Sequence, residues 1–233
     1  ADADATVVVV KSANTDFFIA HFDVAAILSF PIDQPAVRSD KDDNAFHAMC
    51  RRFATMNKVT IAQIEGRVGG GGSELSMNFD MRFGVKGKTI VNQMEVPLGI
   101  LPGGSGTQIL PRLIGRNRAM EVIMGGVDMV AEDAERWGYL NRVLPAGEIG
   151  PYVDKLARRI ASFPVEAVRL AKEAINASSR PLAEGLREES YLFQQLTRTE
   201  SGRRNMQRFL DMGGQTRDVE LRIGEVNAEL GKA

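Results

Sequence analysis

Apolar residues along the chain fall into two kinds of run, short β-branched stretches and longer segments with helical spacing. Val7–Val10 has the pattern of a parallel strand buried on both sheet faces. Phe17–Ala20 predicts a second strand, closed by His21-Phe22-Asp23, and a helix begins at Val24. Pro31–Asn44 is polar, with Pro31, Pro35 and the cluster Asp40-Lys41-Asp42-Asp43, and reads as a loop of lid-like length. Phe46–Met56 is spaced as a helix and Val59–Ile64 as a strand, followed by a turn at Glu65-Gly66. Gly69–Gly72 and Ser73 then lead into a helix from Glu74 to about Met77. Thr89–Met94 is extended and ends at Glu95, and Leu98–Pro102 enters the loop Gly103–Thr107. Helices are expected over Gln108–Ile114, Arg118–Met124 and Ala131–Gly138. In the last, Glu132 and Asp133 oppose the helix dipole and Gly138 ends it. A short strand over Leu140–Val143 follows, and from Ile149 onward the pattern is helical. Tyr191–Met212 reads as one long run with a basic outer face, suited to packing on another subunit.

Strand, helix, strand, glycine turn, helix is the alternation of an α/β core with right-handed crossovers. The chain divides on this reading into a core over residues 1–145 and a helical region over 146–233. Its first residue is Ala1, and a valine strand follows almost at once, so the fold is expected to begin upstream of residue 1.

Composition narrows the classes of function. Formal net charge over 233 residues is −1, and no dense Lys/Arg stripe is present, so neither a nucleic-acid groove nor an anionic membrane surface is expected as partner. The apolar runs are shorter than the ~20 residues a membrane span needs, and no basic-then-apolar leader is visible, so a cytoplasmic location is expected. Cys50 is the only cysteine, which excludes an intrachain disulfide framework and fits a reducing compartment with an idle thiol.

The glycine run is the main chemical clue. Backbone N–H groups at a helix start can hold developing negative charge, and glycine lets a ligand approach them. Other readings stay open: a close strand-to-helix crossing also needs small residues. A phosphate-gripping loop would need Gly-Lys-Ser/Thr, which neither glycine loop supplies. A dinucleotide fingerprint is weakened because Glu74 stands where its last glycine belongs, although Glu95 lies near the position of the acidic partner. Two carboxylates, Glu74 and Glu95, can both reach the sheet end where ligands bind. One could then accept a proton from water while the other delivers one elsewhere.

Ile61–Leu75, with Gly69-Gly70-Gly71-Gly72-Ser73-Glu74, resembles the glycine-rich segment of the enoyl-CoA hydratase/isomerase (crotonase) family. Met94–Gln108 resembles its second motif, and Ala119-Met120-Glu121, Ala131–Pro145 and Ala171–Asn176 continue the likeness. The resemblance covers residues 5 to about 210 and is most specific in the middle. It implies an α/β spiral of ββα repeats in stacked sheets, with a C-terminal helical region forming homotrimers or dimers of trimers. The family's opening strand pair and first helix have no counterpart here. It implies an acyl-CoA thioester ligand, with coenzyme A entering as part of the substrate and no other cofactor or metal. By position, the thioester carbonyl would lie between the N–H groups of Phe22 and Gly71, and losing such a donor costs around 3 kcal/mol in the transition state. Ala20, His21, Asp23, Val24, Gly70, Pro102 and Gly103 would surround the substrate. Glu74 would activate water and Glu95 would serve the α-carbon, which favours an enoyl-CoA hydratase. A Δ3,Δ2-enoyl-CoA isomerase or a non-catalytic CoA-thioester binder are the alternatives. Ala20-His21-Phe22-Asp23 stands where the family usually has Ala-Gly-Ala/Ser-Asp, so Phe22 is expected to narrow the acyl channel, and Met94 stands where a proline is common.

Overall fold

The structure is a computed structural model that describes residues 4–33, 35 and 44–231. The loop expected over Pro31–Asn44 lies largely outside them. Eight strands occur among the described residues: β1 (Val7–Lys11), β2 (Phe17–Ile19), β3 (Val59–Ile64), β4 (Arg67–Gly69), β5 (Met81–Val85), β6 (Ile90–Asn92), β7 (Met129–Val130) and β8 (Arg142–Leu144). The first seven helices are α1 (Val24–Leu28), α2 (Ala45–Thr55), α3 (Gly70–Ser76), α4 (Gly106–Ile114), α5 (Arg116–Gly125), α6 (Ala131–Trp137) and α7 (Ile149–Ala161). They are followed by α8 (Val165–Ala177), α9 (Leu182–Leu196), α10 (Glu200–Asp211), α11 (Arg217–Glu220) and α12 (Ile223–Leu230).

Strands β1 to β6 deal themselves alternately into two sheets, and β7 joins β6 in the second while β8 returns to the first, giving the orders β1-β3-β5-β8 and β2-β4-β6-β7. The pairs β1/β2, β3/β4 and β5/β6 each span both sheets before a helix returns the chain, which is the ββα spiral expected from the resemblance. Pairing is parallel between β3 and β5, β5 and β8, β2 and β4, and β4 and β6, and antiparallel where β6 meets β7. Every residue of β3 is buried, as its unbroken Val-Thr-Ile-Ala-Gln-Ile run requires of a central strand. β1 lies at the end of its sheet, so its valines are half-buried or exposed and not covered on both faces as the run suggested.

Two compact units are distinguished: Val9–Ala54 with Thr60–Val153, and Ala1–Val8 with Thr55–Val59 and Asp154–Ala233. The core of the first packs Ala62, Ile64, Val68 and Val91 from the strands against Leu110, Ile114, Val122 and Tyr139. In the second, helices α8 to α12 bury Leu170, Ala177, Leu192, Val219 and Val226. The long helix expected over Tyr191–Met212 is two, because Thr199 caps α10 by accepting from the Gly202 N–H at 3.1 Å. Strands β4, β5 and β7 carry no sequence expectation. β5 holds the buried Arg82, whose Nε donates to Tyr139 O at 2.7 Å and Nη1 to Phe79 O at 2.8 Å.

Candidate active site

The glycine run is itself the first turn of α3, which begins at Gly70 and not at Glu74. It has no side-chain cap, so its first N–H groups receive no partner from within the helix. Gly70 takes a positive φ of 45°, which opens this start. The chain leaving β2 runs hard against the glycines. A Cβ on Gly72 would lie 2.5 Å from Ile19 O, and one on Gly71 would lie 2.9 Å from Phe22 Cβ and 3.3 Å from Phe22 N. The run is therefore a tight crossing, and it brings Phe22 N beside Gly71. Asp23 fixes the turn that carries Phe22, since its Oδ1 accepts from the N–H groups of Ala25 and Ala26 at 2.9 and 3.3 Å. Among the described residues the Phe22 N–H meets no acceptor. His21 Nδ1 sits 2.6 Å from Phe22 O.

Glu74 lies on the second turn of α3 and is 4% exposed. Its Oε1 accepts from the N–H groups of Gly104 and Gly106 at 2.7 and 2.8 Å. Ser105 between them holds a left-handed φ of 102°, a strained setting that aims both N–H groups at one oxygen. Asn78 ties this loop back to the helix, donating to Glu74 O at 2.8 Å and Ser105 Oγ at 3.1 Å. Burial raises the Glu74 pKa, while the two N–H bonds and the nearby His47 pull it down. Glu95 sits just beyond β6, at the start of a single 3-10 turn over Val96–Leu98, and not at the end of a strand. It is 7% exposed, and a Cβ on Gly70 would lie 3.0 Å from its Oε1. Burial pushes its carboxyl up to about 7, with its own backbone N–H opposing and the Glu74 charge reinforcing.

Both carboxylates face one cavity of about 1100 Å³. Its walls are mostly apolar: Phe22, Val24, Ile27 and Phe30 on one side, Phe46 and Met49 of α2 on another, and Met94 with Leu98–Leu101 on a third. The rings of Phe22 and Phe46 meet edge to face at 5.5 Å. Of the residues expected around a substrate, His21, Val24, Gly70 and Gly103 line the cavity with Phe22 and Gly71. Ala20, Asp23 and Pro102 do not. Ala20 O backs Gly69, Asp23 is spent on capping α1, and buried Pro102 packs behind Gly106. Among the described residues no cluster of His, Cys, Asp or Glu is placed to hold a metal ion.

Several participants are not among the sequence expectations. Gly104 and Gly106 lay in a loop whose glycines could be read but whose target could not. Phe46 and Met49 stand on an amphipathic helix whose pattern announces burial, not a pocket wall. Gln93 looks like an ordinary residue of an extended run, yet it is fully buried against Glu95 and Ser73. Cys50 is buried in α2, and burial followed by the Glu74 charge pushes its thiol up to about 11.

The enoyl-CoA hydratase/isomerase family model matches residues 1–216. A probable mitochondrial enoyl-CoA hydratase of Dictyostelium discoideum is 35% identical over 173 residues, 74% of this chain and 62% of that protein. A probable enoyl-CoA hydratase of Rhizobium meliloti is 40% identical over 159 residues, 67% of this chain and 61% of that one. The chain thus spans a little over three-fifths of the length of these curated relatives. The crystal structure of an enoyl-CoA hydratase from Bacillus anthracis superposes with a TM-score of 0.79 at 29% identity, covering 91% of this chain and 81% of that one.

Proposed function

The chain belongs to the enoyl-CoA hydratase/isomerase family, and we propose that within it this protein hydrates a 2-enoyl-CoA thioester. The observation that carries the reading is the pair of buried glutamates facing one apolar cavity in unlike surroundings. Burial raises both carboxyls, but Glu74 also accepts two N–H bonds that favour its charged form, whereas Glu95 reaches about 7. Unlike environments for two carboxyls are the arrangement that separates a base from an acid.

The thioester oxygen would rest against the N–H groups of Phe22 and Gly71, where charge builds as the enolate forms. The Glu74 carboxylate takes a proton from water while the water oxygen bonds to Cβ. The Glu95 carboxyl gives its proton to Cα, and the product is a 3-hydroxyacyl-CoA. Glu74 is then protonated and Glu95 ionised, and exchange with solvent restores both. The apolar walls support an acyl chain as the part of the ligand beyond the thioester, and coenzyme A is carried by the substrate itself.

The test is product analysis on a chain-length series of 2-enoyl-CoA thioesters. Gain of one water by any member supports the reading, and a purified protein that hydrates none of them, short or long, sinks it. A second reading follows from Glu95 alone, because a carboxyl near 7 can both take and return a proton. Migration of a 3-enoyl double bond without any 3-hydroxyacyl product would assign the isomerase. Residues 146–233 are read as the oligomerising region of a homotrimer or dimer of trimers. The exposed Leu182, Leu186, Tyr191 and Phe193 of α9 support this. Light scattering that finds only monomer at micromolar concentration opposes it.

A further inference from the structure

Behind Glu95 lies a buried polar chain with no place in the reaction just described. Gln93 is 0% exposed, and its amide is wedged between the Glu95 carboxyl and Ser73. With its nitrogen toward Glu95, the amide donates to Oε2 at 2.9 Å and Oε1 at 3.2 Å, and its oxygen accepts from Ser73 Oγ at 3.0 Å. Ser73 Oγ in turn lies 2.9 Å from Tyr139 OH, and Tyr139 OH lies 2.7 Å from Ser76 Oγ. Turned the other way, the amide donates to Ser73 and sets its own oxygen against the carboxyl oxygens. That arrangement repels an ionised Glu95.

We propose that Gln93 is a positioning residue for Glu95. Its amide N–H, locked in direction by the Ser73–Tyr139–Ser76 chain, holds the carboxylate that remains after Glu95 has released its proton. Every hydrogen bond can then point the same way: Tyr139 donates to Ser73, Ser73 to Gln93, and Gln93 to Glu95. Such a one-way chain strengthens each of its links. The far end is itself fixed, because Arg82 binds Tyr139 O at 2.7 Å and lies 5.6 Å from the tyrosine ring centre. The other ionisable groups near Glu95 are Glu74 on α3, whose charge opposes its ionisation, and His21, whose Cβ faces Gly70. His47 acts on Glu74, and the Glu74 charge acts in turn on Cys50. Gln93 is thus the one neutral side chain from which Glu95 accepts hydrogen bonds among the described residues.

The proposal rests on Glu95 being the proton donor, but its test does not need turnover. In full-length protein labelled with 13C at glutamate carboxyls, the Glu95 resonance is identified by its loss in Glu95→Gln, and its midpoint is read in wild type and in Gln93→Met. Removing a donor to the charged form moves the midpoint upward by about one pH unit, a tenfold change in the ionisation constant. Ser73→Ala and Tyr139→Phe, which leave the amide in place but unlatch it, move it the same way by less. They also decide the matter if Gln93→Met does not fold. An unmoved midpoint across these variants overturns the proposal, and a downward one means that the amide oxygen faces Glu95, which overturns it equally. Where hydration is measured, kcat falls in Gln93→Met with KM little changed, and the pH limb owed to Glu95 shifts with the resonance. Absence of all hydration removes the hydratase reading, yet the midpoint still decides the role of Gln93.

Discussion

The two glutamates face the same cavity, but the regions that hold them are built on opposite principles. Glu74 is gripped by main chain, through two N–H groups of a strained glycine loop. Glu95 is gripped by side chain, through an amide at the head of a buried hydroxyl relay. A backbone grip is rigid and survives most substitutions, whereas a side-chain grip can be retuned by changing one residue. In the proposed hydration, the group held rigidly suits a base that must stay ionised, and the group held adjustably suits an acid whose pKa must lie near the working pH.

The sharpest way to break this contrast is to remove each carboxylate in turn. Glu74→Gln and Glu95→Gln are each expected to lower kcat/KM for hydration by about 10²–10⁴-fold. The double variant is expected to fall far short of the product of the two losses, because the groups act in one step. Fully multiplicative losses would show the two acting independently. Next in size is Gly106→Ala, whose new Cβ would lie 2.8 Å from Pro102 Cβ and 2.9 Å from Glu74 Oε1. Displacing Glu74 by that contact should cost about 10²-fold in kcat with the fold intact by circular dichroism. An unchanged kcat would show that the backbone grip is dispensable.

Stability separates the two regions by pH. The Glu95 carboxyl is raised from 4.5 to about 7, so between those values the folded state holds a proton that the unfolded chain has lost. Stability therefore falls as pH rises through that window. Glu95→Gln, which cannot ionise, is expected to be more stable than wild type at pH 8 by up to about 3 kcal/mol, and no more stable at pH 4. Denaturant unfolding at the two pH values checks this, and an equal difference at both would remove Glu95 as the source. Glu74→Gln should gain less, since it forfeits bonds that prefer the charged form. The smallest effect is expected at His21, whose ring reaches Phe22 O and neither carboxyl. His21→Ala should change kcat/KM by about twofold or less, and a larger loss would add a third polar group to the comparison.

Much of this arrangement is legible in the chain. The glycine run, Glu74 and Glu95 can be located from residue type and neighbourhood, Phe22 only from the family resemblance, and the alternation of strands and helices gives the α/β class. What escapes is set by tertiary partners. β5 interrupts its apolar pattern with Arg82, whose burial is tolerable only because carbonyls of Phe79 and Tyr139 accept from it. Glu95 is placed by a 3-10 turn that no periodicity announces. Gln93 matters only because Ser73 and Tyr139, distant in sequence, converge on its amide. Phe46 could be recognised as apolar, but its edge-to-face contact with Phe22 exists only once α2 is seated.

One buried atom has a practical consequence. With the thiol of Cys50 pushed up to about 11, roughly one molecule in a thousand carries a thiolate at pH 8. Since Cys50 is also 1% exposed and is the only cysteine in the chain, the folded protein should resist maleimides and iodoacetamide. It is a ready-made blank for site-specific labelling. A cysteine introduced on an exposed face, as in Met206→Cys on α10, would take up a fluorophore or spin label alone.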